Sequence, residues 1–176
     1  MATSTMVPLE EYLQTSYHPD CEWVDGELRE RSVGNRSHGS VQKFFMRFFL
    51  NLETELGILV YSEVRTQVSQ TNFRVPDVLV VRESDPYDDI VTKASLICIE
   101  VLSPDDRMID IYDKIDDYTA MGVGAIWIVN PQRRRMFVAD AGALLPVNEY
   151  VVPGTSIRAT APEVFEELNR LESGLR

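Results

Sequence analysis

Three apolar runs constrain this chain more than anything else in it: "VLVV" at 78–81, "LICIEVL" at 96–102 and "AIWIV" at 125–129. Each is apolar at nearly every position instead of at alternate ones, the composition of strands covered on both faces. Between the second and third, "DIYDKIDDYTAMG" changes to helical spacing and stops at Gly122. Inner strands joined by an amphipathic helix predict an α/β fold, with a mixed β-sheet flanked by helices. Two of the runs break their own pattern with one acid each. Asp77 stands at the mouth of the first and Glu100 near the end of the second, where a charge left unpaired is costly.

The flanking segments fill out that frame. "LEEYL" after Pro8 predicts a short helix with proline in its first turn. "EWVDGELRE" alternates around Val24-Asp25-Gly26-Glu27 and predicts an N-terminal β-hairpin. "HGSVQKFFMRFFLNLETELG" sets Val41, Phe44, Phe45, Phe48, Phe49 and Leu52 on one face of a long helix that Gly57 closes. "ILVYSEVRTQVSQ" predicts one long strand, and "RRRMFVAD" a further strand paired through the Asn130-Pro131 turn. "APEVFEELNRLESG" predicts a capped amphipathic helix at the C-terminus. No repeat, low-complexity tract or long linker divides the chain, so residues 1–176 are expected to form a single domain.

Composition sets the outer limits. Hydrophobic residues make up 44% and charged residues 26%, ordinary values for a soluble globular protein. No apolar run approaches the roughly 18 residues of a membrane span, and the N-terminus lacks the basic segment and apolar core of a signal peptide. Cys21 and Cys98 form no CxxC pair, so a reduced, cytoplasmic protein with no membrane partner is expected. The net charge of −11 opposes binding to phosphates, but it is unevenly spread. Residues 83–117 hold eleven acids against three bases, whereas 29–47 hold five bases against one acid, and "RRR" follows at 133–135. A chain polarised in this way can present a basic face to DNA or RNA. Solvated charge that keeps a small protein soluble explains the same pattern.

If the strands of Asp77 and Glu100 lie side by side, their carboxylates converge, and like charges at close range raise a pKa or recruit a cation. Oxygen-only ligands favour Mg²⁺ or Mn²⁺. The alternative is that Asp77 caps a turn and Glu100 meets an arginine. In the helix that follows, a turn of about 100° per residue gives Met108, Ile111, Tyr112, Ile115, Tyr118 and Gly122 the buried face. Lys114 falls at the border of that face, aligned with Arg107 and Tyr118, while Asp110 and Asp117 look outward. From there its ammonium can reach a sheet-end carboxylate or pair with Asp110 on the surface.

Taken in order, "RVPD", "IEVLSP" and "DIYDKIDDYTAMGVGAIWIVNP" resemble the Uma-type endonuclease family of the restriction-endonuclease-like, PD-(D/E)xK superfamily. "LEEYL", "CEWVDGELRERSVGNRSHGSVQ" and "RTQVSQTNFRVPDV" fit the same family, so the resemblance covers nearly the whole chain. It implies a restriction-endonuclease-like core and metal-dependent hydrolysis of DNA phosphodiesters. By it, Asp77 and Glu100 hold Mg²⁺ (or Mn²⁺), with the Val101 carbonyl completing the site, and Lys114 orients or deprotonates the attacking water. The chain departs from the superfamily pattern at Leu102, where the motif puts lysine, and Lys114 on the next helix is where the Uma-type pattern supplies it.

Further candidates carry two readings each. His38 can meet phosphate at a helix start, or simply begin the helix. Glu22 is an additional acid near the metal or a surface glutamate, and Arg107 touches phosphate or pairs with Asp106 or Asp110. Tyr118 completes the ordered motif as a candidate substrate contact. DNA and a second copy of the chain, as a homodimer, are the expected partners. Three functions stay open at this point: a metal-dependent nuclease, a nuclease-fold protein that binds or regulates without cutting, and a structural homo-oligomer whose interface uses the two acids.

Overall fold

The computed structural model describes residues 6–174. In chain order the elements are α1 (Leu9–Gln14), β1 (Cys21–Val24), β2 (Glu27–Glu30), α2 (Arg36–Leu50), α3 (Glu53–Leu56), β3 (Ile58–Tyr61), β4 (Thr66–Gln67), β5 (Asn72–Arg74) and β6 (Val78–Arg82). They continue with β7 (Ile97–Val101), α4 (Met108–Met121), β8 (Ala125–Asn130), β9 (Arg135–Asp140), β10 (Ala143–Val147), β11 (Glu149–Val151), β12 (Arg158–Thr160) and α5 (Ala161–Glu172).

Six strands form the main sheet, in the order β10-β9-β8-β7-β6-β3. Among the described strands only β7 and β8 run parallel, and α4 makes the crossover between them. One face of this sheet packs on α2 and α5. There Val41, Phe45 and Phe49 meet Val78, Val80, Ile97, Ile99 and Trp127, with Val164, Phe165 and Leu168 beside them. Tyr150 stacks on Trp127 with ring centroids 4.4 Å apart and donates its hydroxyl hydrogen to the Ile128 carbonyl. The other face packs on α4 through Leu79, Val81, Cys98, Leu102, Ile111, Ile115, Tyr118 and Ile128. Each such aliphatic or aromatic side chain, fully buried, contributes about 1.5–3 kcal/mol. Covering on both faces is why these strands are apolar at every position.

A second sheet, β2-β1-β5-β4, holds the N-terminal hairpin and a small core of Val7, Tyr12, Trp23 and Phe73 under α1. The hairpin turns at Asp25 and Gly26, both at positive φ (48° and 88°), the two-residue turn that matches strand twist. The chain passes from the main sheet to this one after Tyr61 and returns between Arg74 and Val78.

Several local expectations need correction. The helix predicted to run on to Gly57 ends at Leu50; a separate turn, α3, follows, and Gly57 at φ 60° closes that one. "ILVYSEVRTQVSQ" is two strands in two sheets, broken where Glu63 takes a left-handed φ of 56° and donates its N–H to the Pro76 carbonyl. Met108 and Tyr112, expected on the buried face of α4, are exposed, and that face is made by Ile111, Ile115 and Tyr118. No sequence signal announced β10, β11 or β12. At the C-terminus the expected cap is present: the Thr160 hydroxyl and N–H both donate to the Glu163 carboxylate. Among the described residues no helix is long and apolar enough to cross a membrane.

Candidate active site

Strand alternation aims the two acids. Leu79 and Val81 of β6, and Cys98 and Leu102 around β7, all join the core on the α4 side. Asp77 and Glu100 share their parity, so both point to α4. The antiparallel ladder pairs Val78 with Ile99, and one step further sets Asp77 opposite Glu100. The Pro76 carbonyl accepts from the Glu63 N–H, and the Val101 N–H donates instead to Asp77 Oδ2 at 2.7 Å. Both acids are buried.

Around them lie two neighbouring sets of contacts, one on each acid. Arg31 donates to Asp77 Oδ1 at 2.8 Å, and His38 Nε2 lies 3.2 Å from Asp77 Oδ2. Tyr118 donates its hydroxyl hydrogen to Glu100 Oε1 at 2.5 Å, and Lys114 donates to Glu100 Oε2 at 3.0 Å. The same Lys114 Nζ is 3.0 Å from Glu22 Oε1. Glu22 also accepts from Arg74 at 3.0 Å and from the Val75 N–H at 3.1 Å, and Arg74 is held in turn by Asp117 at 2.6 Å. Every carboxylate oxygen of Glu22, Asp77 and Glu100 is therefore engaged.

The charges perturb one another as burial and proximity require. Glu100 is pushed up to about 7, first by burial; Lys114 opposes this, and the nearby Asp77 and Glu22 carboxylates add to it. Burial would also raise Asp77, but His38, Lys114 and Arg31 outweigh it and hold the carboxyl below its usual range. Burial disfavours the charged form of Lys114, yet Glu100, Glu22 and Asp77 together lift it well above the usual lysine range. His38 is likewise raised: burial lowers it, and the contact with Asp77 more than compensates.

Both sets open into a cleft of about 490 Å³ lined by Glu22, Arg31, His38, Asp77, Glu100, Val101 and Lys114, with Arg29, Arg107, Asp110 and Asp113 nearer its mouth. The structure thus brings together Asp77, Glu100, Val101, Lys114, His38 and Glu22. Of Glu22's two readings the surface one is excluded, since it is 3% exposed. Arg107 makes a bidentate pair with Asp110, with both bonds at 2.8 Å, on an exposed helix start. Tyr118, expected as a substrate contact, is fully buried and reaches the site only through Glu100. Asp117, expected to look outward, turns in to Arg74. Leu102 is buried in the α4-side core, so the motif's usual lysine position is apolar here and Lys114 reaches Glu100 from the helix. Three of the five bases in the stretch at 29–47 are paired with acids, and Arg36 and Arg47 are exposed. Arg29 meets Asp113, Arg31 meets Asp77, and Lys43 meets Glu167.

Sequence reasoning missed Arg31 and Arg74. Arg74 had a signal, a lone charge between Phe73 and Val75 beside the Pro76 turn. Arg31 had none, lying in a polar loop among other charges. As for a metal, among the described residues no three acid, histidine or cysteine side chains are grouped to hold an ion by themselves. The donors toward which the adjacent strand ends converge are the Asp77 and Glu100 carboxylates and the backbone at Val101, with Glu22 also lining the cleft. That set suits Mg²⁺, which is held through one or two carboxylates and keeps several waters.

A six-stranded mixed sheet covered by helices on both faces is an α/β fold. The chain belongs to the Uma2 family, described as "Putative restriction endonuclease", whose pattern it matches over residues 9–168. Among solved structures it is similar to a nuclease-like protein of the DUF820 group from Anabaena variabilis ATCC 29413, with 19% identity and a TM-score of 0.78. That match covers 92% of this chain and 99% of the other, and it establishes the fold. A more remote likeness is to the DrdV–DNA complex, at 16% identity and a TM-score of 0.43, over 79% of this chain and 12% of that one. No functionally curated protein matches the chain. Family and fold together support a nuclease-like function.

Proposed function

We propose that the protein is a divalent-metal-dependent endonuclease that hydrolyses DNA phosphodiester bonds. The observation that carries this reading is Lys114, whose ammonium lies 3.0 Å from Glu100 in the cleft that Asp77 also lines. Asp77, Glu100 and the Val101 carbonyl would hold Mg²⁺ or Mn²⁺, and the bound cation would neutralise charge on the phosphate and acidify water. The chain's own residues do the rest. Lys114, 3.0 Å from both Glu100 and Glu22, places an ammonium in the cleft, where it would position a phosphate oxygen or the attacking water. Tyr118 and Glu22 fix Glu100 and Lys114 from behind. His38, with its N–H capped by Asn35 at the start of α2, presents its ring to the cleft beside Asp77.

The test is cleavage of supercoiled plasmid and of defined single- and double-stranded oligonucleotides, with Mg²⁺ and with Mn²⁺, against Glu100→Ala. Cleavage that needs the cation and vanishes in the variant supports the reading; wild-type cleavage that persists in Glu100→Ala sinks it. A second reading, a nuclease-fold module that binds without cutting, is favoured by one observation: all six carboxylate oxygens already hold internal donors. Mn²⁺ titration against Asp77→Asn separates the two, since only the first requires carboxylate-dependent binding.

A further inference from the structure

Asp77 uses its two oxygens differently. Oδ2 is fixed from the frame, by the Val101 N–H at 2.7 Å and by His38 at 3.2 Å. Oδ1 is held by Arg31 at 2.8 Å. Arg31 comes from the segment between β2 and α2, and its side chain is 14% exposed and lines the cleft. Its second partner, Glu63, is 3.4 Å away and half exposed, a weak hold in water.

We infer that Arg31 is an internal counter-ion that keeps the place of the metal cation on Asp77, and that it passes to the scissile phosphate when the cation binds. This deepens the proposed endonuclease function and rests on it. A guanidinium does not give up its proton at any working pH, so it cannot yield by becoming neutral. Were Asp77 to hold a dication, Arg31 would face a like charge and would have to move. The space open to it is the cleft, where the substrate's phosphate supplies the anion it has lost. Its planar fork matches two phosphate oxygens as well as it matched a carboxylate. Asp77 keeps its orientation through Val101 and His38, so release of Arg31 does not unseat the metal ligand. Metal and substrate are thereby coupled, because each relieves a charge that the other's arrival leaves unpaired, and such coupling is reciprocal.

The experiment is Mn²⁺ titration by calorimetry on wild type, Arg31→Ala and Arg31→Gln, followed by duplex-DNA binding in Ca²⁺. With the competing charge gone, both variants are expected to bind Mn²⁺ at least about tenfold tighter, since a unit charge beside a dication in a partly buried site is worth that much or more. Both are expected to bind DNA about tenfold more weakly, having lost a charge-assisted phosphate contact. Arg31→Gln retains a donor for Asp77, which keeps the test alive should Arg31→Ala fail to fold. Equal or weaker Mn²⁺ binding in the variants overturns the inference, and it leaves the endonuclease reading standing if wild type still cleaves. Wild type that binds no Mn²⁺ through Asp77 sinks both.

Discussion

Replacing Lys114 by methionine removes one charge and leaves most of the stem, so the effect is electrostatic and not a cavity. Lys114 sits between Glu22 and Glu100 at 3.0 Å from each. Removing one partner from a buried ion pair costs about 3–5 kcal/mol. Glu22 keeps Arg74 and the Val75 N–H, whereas Glu100 keeps only the Tyr118 hydroxyl, so the loss falls mainly on Glu100. Protonation limits that loss and gives it a pH signature. In the metal-free wild type the Glu100 carboxyl titrates near 7, above its ordinary 4.5. A raised folded-state value means that its contribution is complete below the ordinary value and is lost as pH rises through about 7. That loss is about 3 kcal/mol at 1.36 kcal/mol per unit. Without Lys114 the carboxyl moves higher still, so the loss deepens and extends further into alkaline pH. Urea unfolding in EDTA at about pH 5.5 and about pH 8.5, analysed by linear extrapolation, reads this directly. Lys114→Met is expected to cost less at the lower pH, where only the Glu22 pair is lost, than at the higher, where the cost is about 3 kcal/mol or more. A cost that is the same at both pH values, or under about 1 kcal/mol throughout, would refute the paired-carboxylate account.

Mn²⁺ is expected to raise the melting temperature of wild type by binding the native state alone, and Asp77→Asn to remove that shift; differential scanning fluorimetry decides it, and equal shifts would place the ion elsewhere. Tyr118→Phe, which deletes the 2.5 Å bond to Glu100, is expected to cost about 1.5–3 kcal/mol at pH values where the carboxylate is ionised, measured by chemical denaturation. Gly124→Ala is expected to destabilise by about 1–3 kcal/mol in the same assay, because the new Cβ would lie against a backbone oxygen that cannot yield. The atom in question is the Leu96 carbonyl oxygen, 2.8 Å from where that Cβ would stand.

What the sequence revealed follows from where burial is two-sided. β6, β7 and β8 could be read because covering on both faces forces an apolar residue at nearly every position. α4 could be read because Gly122, at φ 88°, ends a helical period cleanly. Asp77 and Glu100 stood out as charges inside such runs, and Lys114 as a border residue of the helix that follows. The partners Glu22, Arg31 and Arg74 could not be read together, since they meet Asp77, Glu100 and Lys114 only through the packing of one sheet on another. The split of β3 from β4 was hidden for a related reason: alternation in "ILVYSEVRTQVSQ" continues while the backbone turns at Glu63. The strands β10 to β12 lie at edges or in a separate pair, half-covered, and one contains Pro146. Their composition is that of a loop.

The chain's double passage between the sheets has a mechanical consequence. Glu22 and Arg74 belong to the hairpin sheet, Glu100 to the main sheet, and Lys114 and Asp117 to the helix that spans them. Some of the contacts that fasten one half of the molecule to the other therefore also arrange the cleft's charged groups, while the pairing of Thr66 and Gln67 with Val91 and the burial of Val68 fasten it elsewhere. Exchanging the Glu22–Lys114–Glu100 chain for well-packed apolar side chains can firm the joint, as it does for other buried ion clusters. The firmer molecule would keep only Asp77, Arg31 and His38 in the cleft, so on the proposed function a gain in sturdiness there would be set against reactivity.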